Sequence, residues 1–216
     1  MVLGLIGIVP VEAQMSKEQQ KQRNEQVKQQ RKELNQKASK DAKKEAKKFK
    51  KEGWQTTPGS LTLEKQIDRS MLMQMEFDAT GYPLYIMGEA MSIGENYDAA
   101  KMQAIELAKQ NLAGQIQTEI TALVESSVAI KQLSEEEAAS VTESVMASKN
   151  LISQSLARVI PVVEAYRVLN NKNREVLVRL AFNHNMAMES AKKIVRKDLE
   201  EKGNKLHDQL DKVLGW

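Results

Sequence analysis

Two histidines, no cysteine and scattered carboxylates limit the chemistry open to this 216-residue chain. Without cysteine there is no disulfide, no thiolate metal site, no cysteine nucleophile and no lipid attachment through sulfur. His184 lies between Asn183 and Asn185, directly after a strand-like run, and is expected to be a surface histidine. His207 and Asp211 stand four apart, one helical turn, and would offer a metal two ligands. Zinc takes three or four protein ligands, so this pair is not read as a metal site. Met71, Met73 and Met75 have the softness that copper or haem iron uses, yet no histidine or cysteine is near them, and core packing explains them. Glu89, in an otherwise apolar strand, would become a general acid if burial raised its pKa. A basic partner or an exposed face explains it more simply. The Glu135–Glu136–Glu137 run behind Ser134 is helix-start chemistry, with acids placed against the macrodipole. Neither a phosphate-cradling glycine loop nor a nucleophile elbow is present. No enzymatic activity and no cofactor are expected.

The densest concentration of one chemistry is basic. Residues 15–52 carry fourteen Lys and Arg against six Asp and Glu, about +8, so the rest of this +3 chain sums to about −5. Lys43, Lys44, Lys47, Lys48, Lys50 and Lys51 cluster at its end and are the candidate contacts for an anionic surface. Lipid headgroups, lipopolysaccharide or an acidic protein would fit. The plainer alternative is a solvated helix or a partly disordered tail, because the apolar stripe of Val27, Leu34, Ala38, Ala42, Ala46 and Phe49 is thin. No aromatics interleave the lysines and no DNA-binding motif is present, so nucleic acid is not the expected partner.

The elements that position these residues follow from pattern. Met1 to Ala13 reads MVLGLIGIVPVEA, an apolar run of signal-peptide length with small residues before a cut, though no basic residue precedes it. It predicts export, to the periplasm or the outer membrane; a buried N-terminal strand is the competing reading. Residues 14–53 form a basic arm, helical or partly disordered. Residues 54–60 are a linker that follows Gly53 and is punctuated by Pro58 and Gly59, with Trp54 anchoring it to the domain. Residues 61–216 form the folded domain. In it, Leu63, Ile67, Met71 and Met75 recur at four-residue steps and predict a helix to about Ala79. Pro83–Ile93 alternates as a strand. Tyr97 to about Lys131 is a long helix striped with Ala100, Ala104 and Ala108. At 1.5 Å per residue it reaches roughly 50 Å, so its end or the next helix is expected to project. A helix from Glu135 to about Leu151 returns antiparallel. Ala157–Leu169 is a strand that Pro161 places at an edge or bulge. A loop at 170–173 makes a hairpin with Arg174–Phe182, and a last helix runs from Met186 to about Leu214. The fold class is α+β: a small, mostly antiparallel three-stranded sheet packed with long helices and preceded by a long basic helical arm.

Gly88-x-Ala90 in a strand, then Ala100, Ala104 and Ala108 with Leu107, Leu112 and Ile116 in a long helix, then a hairpin, resembles the Lpp-twenty small envelope lipoprotein family. The resemblance covers about Tyr82 to Asn183. It implies an envelope location and a non-catalytic domain, and it carries over no functional residue. Family members are anchored through an N-terminal cysteine, which this chain lacks. The expected function is therefore a non-catalytic envelope scaffold or accessory protein that binds envelope proteins or an anionic envelope surface. Self-association is compatible with the long helices. A module binding a small molecule or lipid on the Met-lined sheet is one alternative, and an intracellular RNA or ribosome binder acting through the arm is another.

Overall fold

The computed structural model describes residues 35–129 and 133–201, with a few positions between 18 and 32. The signal-like residues 1–13, His207 and Asp211 lie outside the described residues. The chain divides into two units, 1–37 and 38–216. In the first, helical backbone occurs at Glu18, Gln20, Lys21, Asn24, Glu25, Lys28, Lys32 and Asn35.

The second unit is built on a three-stranded antiparallel sheet of β1 (Tyr85–Gly94), β2 (Ile160–Val168) and β3 (Arg174–Asn183), in the order β1-β3-β2. The α+β reading holds. β3 is central and buried on both faces, which is why its sequence shows apolar residues at consecutive positions rather than clean alternation. Val176, Val178, Leu180 and Phe182 face one helical layer, and Leu177 and Ala181 face the other. β2 is an edge strand whose register slips between Pro161 and Val163, where proline cannot donate to the ladder. The β2–β3 loop places Lys172 at φ +66°, a left-handed position that closes the hairpin.

On one face lie α3 (Tyr97–Ala129), α4 (Glu135–Ala147), α5 (Lys149–Ser155) and α6 (His184–Glu201). Close approach of α3 to β1 depends on small residues. A Cβ on Gly88 would meet the Ala108 carbonyl oxygen at 2.4 Å and Leu112 Cγ at 2.7 Å. The far half of α3 does not project bare, because Ile116, Ile120 and Val124 share a core with Val141, Val145, Ile152, Val195 and Leu199 of the other three helices. Ser134 caps α4 in a reciprocal capping box with Glu137. The expected single helix over 135–151 is broken at buried Ser148, and α5 starts there.

The other face is covered by α1 (Lys40–Lys51) and α2 (Leu63–Gln74). Both sheet edges are guarded by side chains or loop backbone. Gln55 exchanges two backbone hydrogen bonds with Tyr166, and Gln66 Oε1 accepts from the Glu164 amide at 2.7 Å. On the β1 edge, Asn111 donates to the Glu89 carbonyl and Gln115 to the Met87 carbonyl, each at 2.7 Å. Carbonyls occupied in this way are not available to pair with another strand.

Candidate anionic-surface interface

The arm was expected to end at Gly53, with the folded domain beginning at residue 61. Compact structure instead begins at Ala38, so α1 is part of the domain layer. The physical reason is the narrow apolar stripe. Ala38, Ala42 and Ala46 are buried with Trp54, Leu63, Ile67, Val163, Ala165 and Leu177, and Phe49 packs against that cluster. Small side chains let a helix lie close to its neighbours, so a stripe too thin to order a free helix suffices for a docked one. Ser39 sets the start: its Oγ accepts from the Ala42 amide at 3.2 Å, and its own amide donates to Asp68 Oδ1 of α2 at 2.9 Å. Gly53, at φ +87°, turns the chain past the helix end so that the Trp54 amide reaches the Phe49 carbonyl. Trp54 is then enclosed between Phe49, edge-on at 6.1 Å between ring centroids, and the Arg167 guanidinium 4.7 Å over its ring.

Docking α1 by its alanine face determines where its lysines point. α1 carries seven lysines against Asp41 and Glu45. At 3.6 residues per turn the lysines occupy an arc of about 160°, opposite Ala42, Ala46 and Phe49, over a length of about 16 Å. Lys43, Lys44, Lys47, Lys48, Lys50 and Lys51 are all exposed. Lys50 is the one drawn inward, bonding Glu64 Oε1 of α2 at 2.5 Å. That hydrogen bond holds the Glu64 carboxyl below its ordinary range. Among the described residues no acid pairs with Lys43, Lys44, Lys47, Lys48 or Lys51, and Glu45 points instead toward Arg179, 3.7 Å away. The result is a row of amines on a rigid support, oriented before any partner arrives.

Arg179 of β3 ties the layer together. It meets Glu89, its cross-strand neighbour on β1, through Nε at 2.7 Å and Nη2 at 2.6 Å, and Nη1 donates to Ser70 Oγ of α2 at 3.1 Å. Glu89 is thus half of an ion pair, and its partner is an arginine set by strand register. A second ion-paired cluster stands at the opposite face, where Glu164 accepts from Tyr97 and from Lys101 Nζ, the latter at 2.8 Å. Burial and then the Glu164 carboxylate push the Tyr97 phenol well above its ordinary pKa.

Two sequence expectations need correction. His184 is 7% exposed rather than on the surface. It sits at the β3–α6 junction with Nε2 2.7 and 2.9 Å from the Glu119 carboxylate oxygens, Tyr82 stacked on its ring, and Nδ1 buried without a hydrogen-bond partner. The methionines also divide. Met73 is buried and Met71 packs against the core, but α2 ends at Gln74 and leaves Met75 exposed. The buried face of α2 follows Leu63, Gln66, Ile67, Ser70 and Met73, which turns away from the four-residue stripe.

Among the described residues, no helix is long and apolar enough to cross a membrane. Comparison with known proteins finds no match to this chain: no protein family, no curated protein and no solved structure.

Proposed function

We propose that this protein is a non-catalytic scaffold or accessory component of the bacterial envelope, and that it grips an anionic envelope surface with the lysines of α1. The observation that carries the reading is the orientation of α1: its alanine face is buried, and Lys43, Lys44, Lys47, Lys48 and Lys51 stand outward with no acid paired to them among the described residues. A free basic tail would lose conformational entropy on binding, whereas a docked helix has already lost it in folding. The signal-like start and the resemblance to the Lpp-twenty family supply the envelope part of the proposal.

In-cell cross-linking of the tagged full chain, with mass-spectrometric identification of what it captures, tests this. Wild type is expected to recover outer-membrane or periplasmic components, and a variant with Lys43, Lys44, Lys47 and Lys48 changed to Gln is expected to recover fewer. Capture of ribosomal proteins or nucleic-acid binders instead would replace the envelope reading with that of an intracellular polyanion binder.

A further inference from the structure

The outer side of α2 carries a feature that charge alone does not explain. Leu72 lies about half a turn from the buried face of α2 and is 48% exposed. Met75 and Phe77 follow at 64% and 59% exposed. Single exposed apolar residues are ordinary, but three within six positions form a ridge. The ridge begins past the start of α1, on the same outward side as the lysines, which run the other way toward Glu64. Asp68, one turn before Leu72 on α2, bonds the amide of Ser39 at the start of α1.

Phe77 is held out by a built turn rather than by a loose loop. Asp78 Oδ1 accepts from the amides of Thr80 and Tyr82 at 2.9 and 3.0 Å and from the Thr80 hydroxyl at 2.6 Å. Gly81 takes φ +86°, the Asp78 amide returns to the Tyr82 carbonyl, and Phe77 bridges to Pro83. A large apolar side chain fixed in water on an ordered turn suggests an apolar environment that it enters.

We infer that the outer surface of the α1–α2 layer docks on an anionic phospholipid bilayer, with the α1 lysines at the headgroups and Leu72, Met75 and Phe77 entering the interface. This rests on the reading of α1 as an anionic-surface contact and names the surface. A soluble polyanion would satisfy the lysines and leave the ridge in water. A second copy packed face to face would set lysine row against lysine row. An anionic bilayer accepts both parts, with charge at its surface and hydrocarbon a few ångströms below. Glu76, exposed between Met75 and Phe77, opposes entry, and its removal strengthens binding.

Flotation of the full chain with vesicles tests the inference, using phosphatidylcholine alone and phosphatidylcholine mixed with phosphatidylglycerol, alongside retention on immobilised heparin. The expected result is binding to the mixed vesicles only. Changing Leu72, Met75 and Phe77 together to Ser weakens vesicle binding at least about tenfold and leaves heparin retention unchanged. Glu76→Gln strengthens vesicle binding, and the four-lysine variant loses both activities. Circular dichroism confirms that each variant folds, as expected for exposed positions. Vesicle binding undiminished in the Ser variant overturns the bilayer inference. Heparin retention without any vesicle binding also overturns it and leaves the lysine reading standing, whereas loss of both in wild type removes the two together.

Discussion

Replacing Gly88 by Ala tests whether the α3–β1 contact is as close as the structure has it. The new methyl carbon would lie 2.4 Å from the Ala108 carbonyl oxygen and 2.7 Å from Leu112 Cγ. Real contacts to such a carbon begin near 3 Å, so the helix backbone must retreat by roughly 0.6 Å or more. That oxygen belongs to the interior of a 33-residue helix and cannot swing aside like a side-chain tip. Overpacking of this kind costs about 1–3 kcal/mol. Removing a strand glycine returns about 0.5–1 kcal/mol of backbone entropy, which leaves a net loss of about 2 kcal/mol at the upper end of the range. Gly114 of α3 is the internal control, since a Cβ there meets only the end of the Lys149 side chain, at 3.7 Å or more. Gly114→Ala should therefore stabilise by about 1 kcal/mol, the helix-propensity difference. Urea unfolding of both variants and wild type measures the two shifts. Opposite signs support the packing. A Gly88→Ala variant more stable than wild type would refute the close approach and with it the placement of α3 on β1.

Arg179→Met removes the charge-assisted bonds to Glu89 and Ser70 and is expected to cost about 2 kcal/mol, reduced from the fully buried value because the Glu89 side chain is 40% exposed. In a double-mutant cycle with Glu89→Gln, full additivity would show that the pair contributes nothing. For Tyr97, burial and Glu164 raise the folded pKa above the ordinary 10.0, so the fold holds the phenolic proton more tightly than the unfolded chain does. This contribution to stability is intact below pH 10 and is lost as pH rises beyond it. The difference between alkaline titrations of wild type and Tyr97→Phe isolates this phenol, and an ordinary midpoint in the folded protein would contradict the Glu164 contact.

The architecture was legible where local chemistry and burial agree. Ser134 followed by three glutamates marks a helix start in any context, and Pro161 cannot sit in the interior of a sheet, so a capping box and an edge-strand bulge follow. The lysines of α1 were legible as chemistry but not as a surface. Ala38, Ala42 and Ala46 carry almost no hydrophobic signal, and the Gly53 to Gly59 punctuation resembles a domain boundary, so the docking that orients the lysines does not show in pattern. Register hides the rest. Nothing near Glu89 in sequence announces Arg179, ninety residues away, and the asparagines beside His184 suggest solvent where Glu119 and Tyr82 enclose it. Met75 was misplaced because a four-residue step continues through a sequence whether or not the helix does.

On the proposed reading, the α1 lysines act as an oriented face and not through net charge. Retention on an immobilised anionic polymer under a salt gradient tests this with two charge-matched variants. One changes Lys43, Lys44, Lys47 and Lys48 to Gln, and the other changes the exposed Lys149, Lys172, Lys193 and Lys197 to Gln. Wild type and the second variant are expected to elute close together, and the first variant at clearly lower salt with its fold intact. Equal early elution of both variants would contradict that reading, because retention would then depend only on how many charges the chain carries.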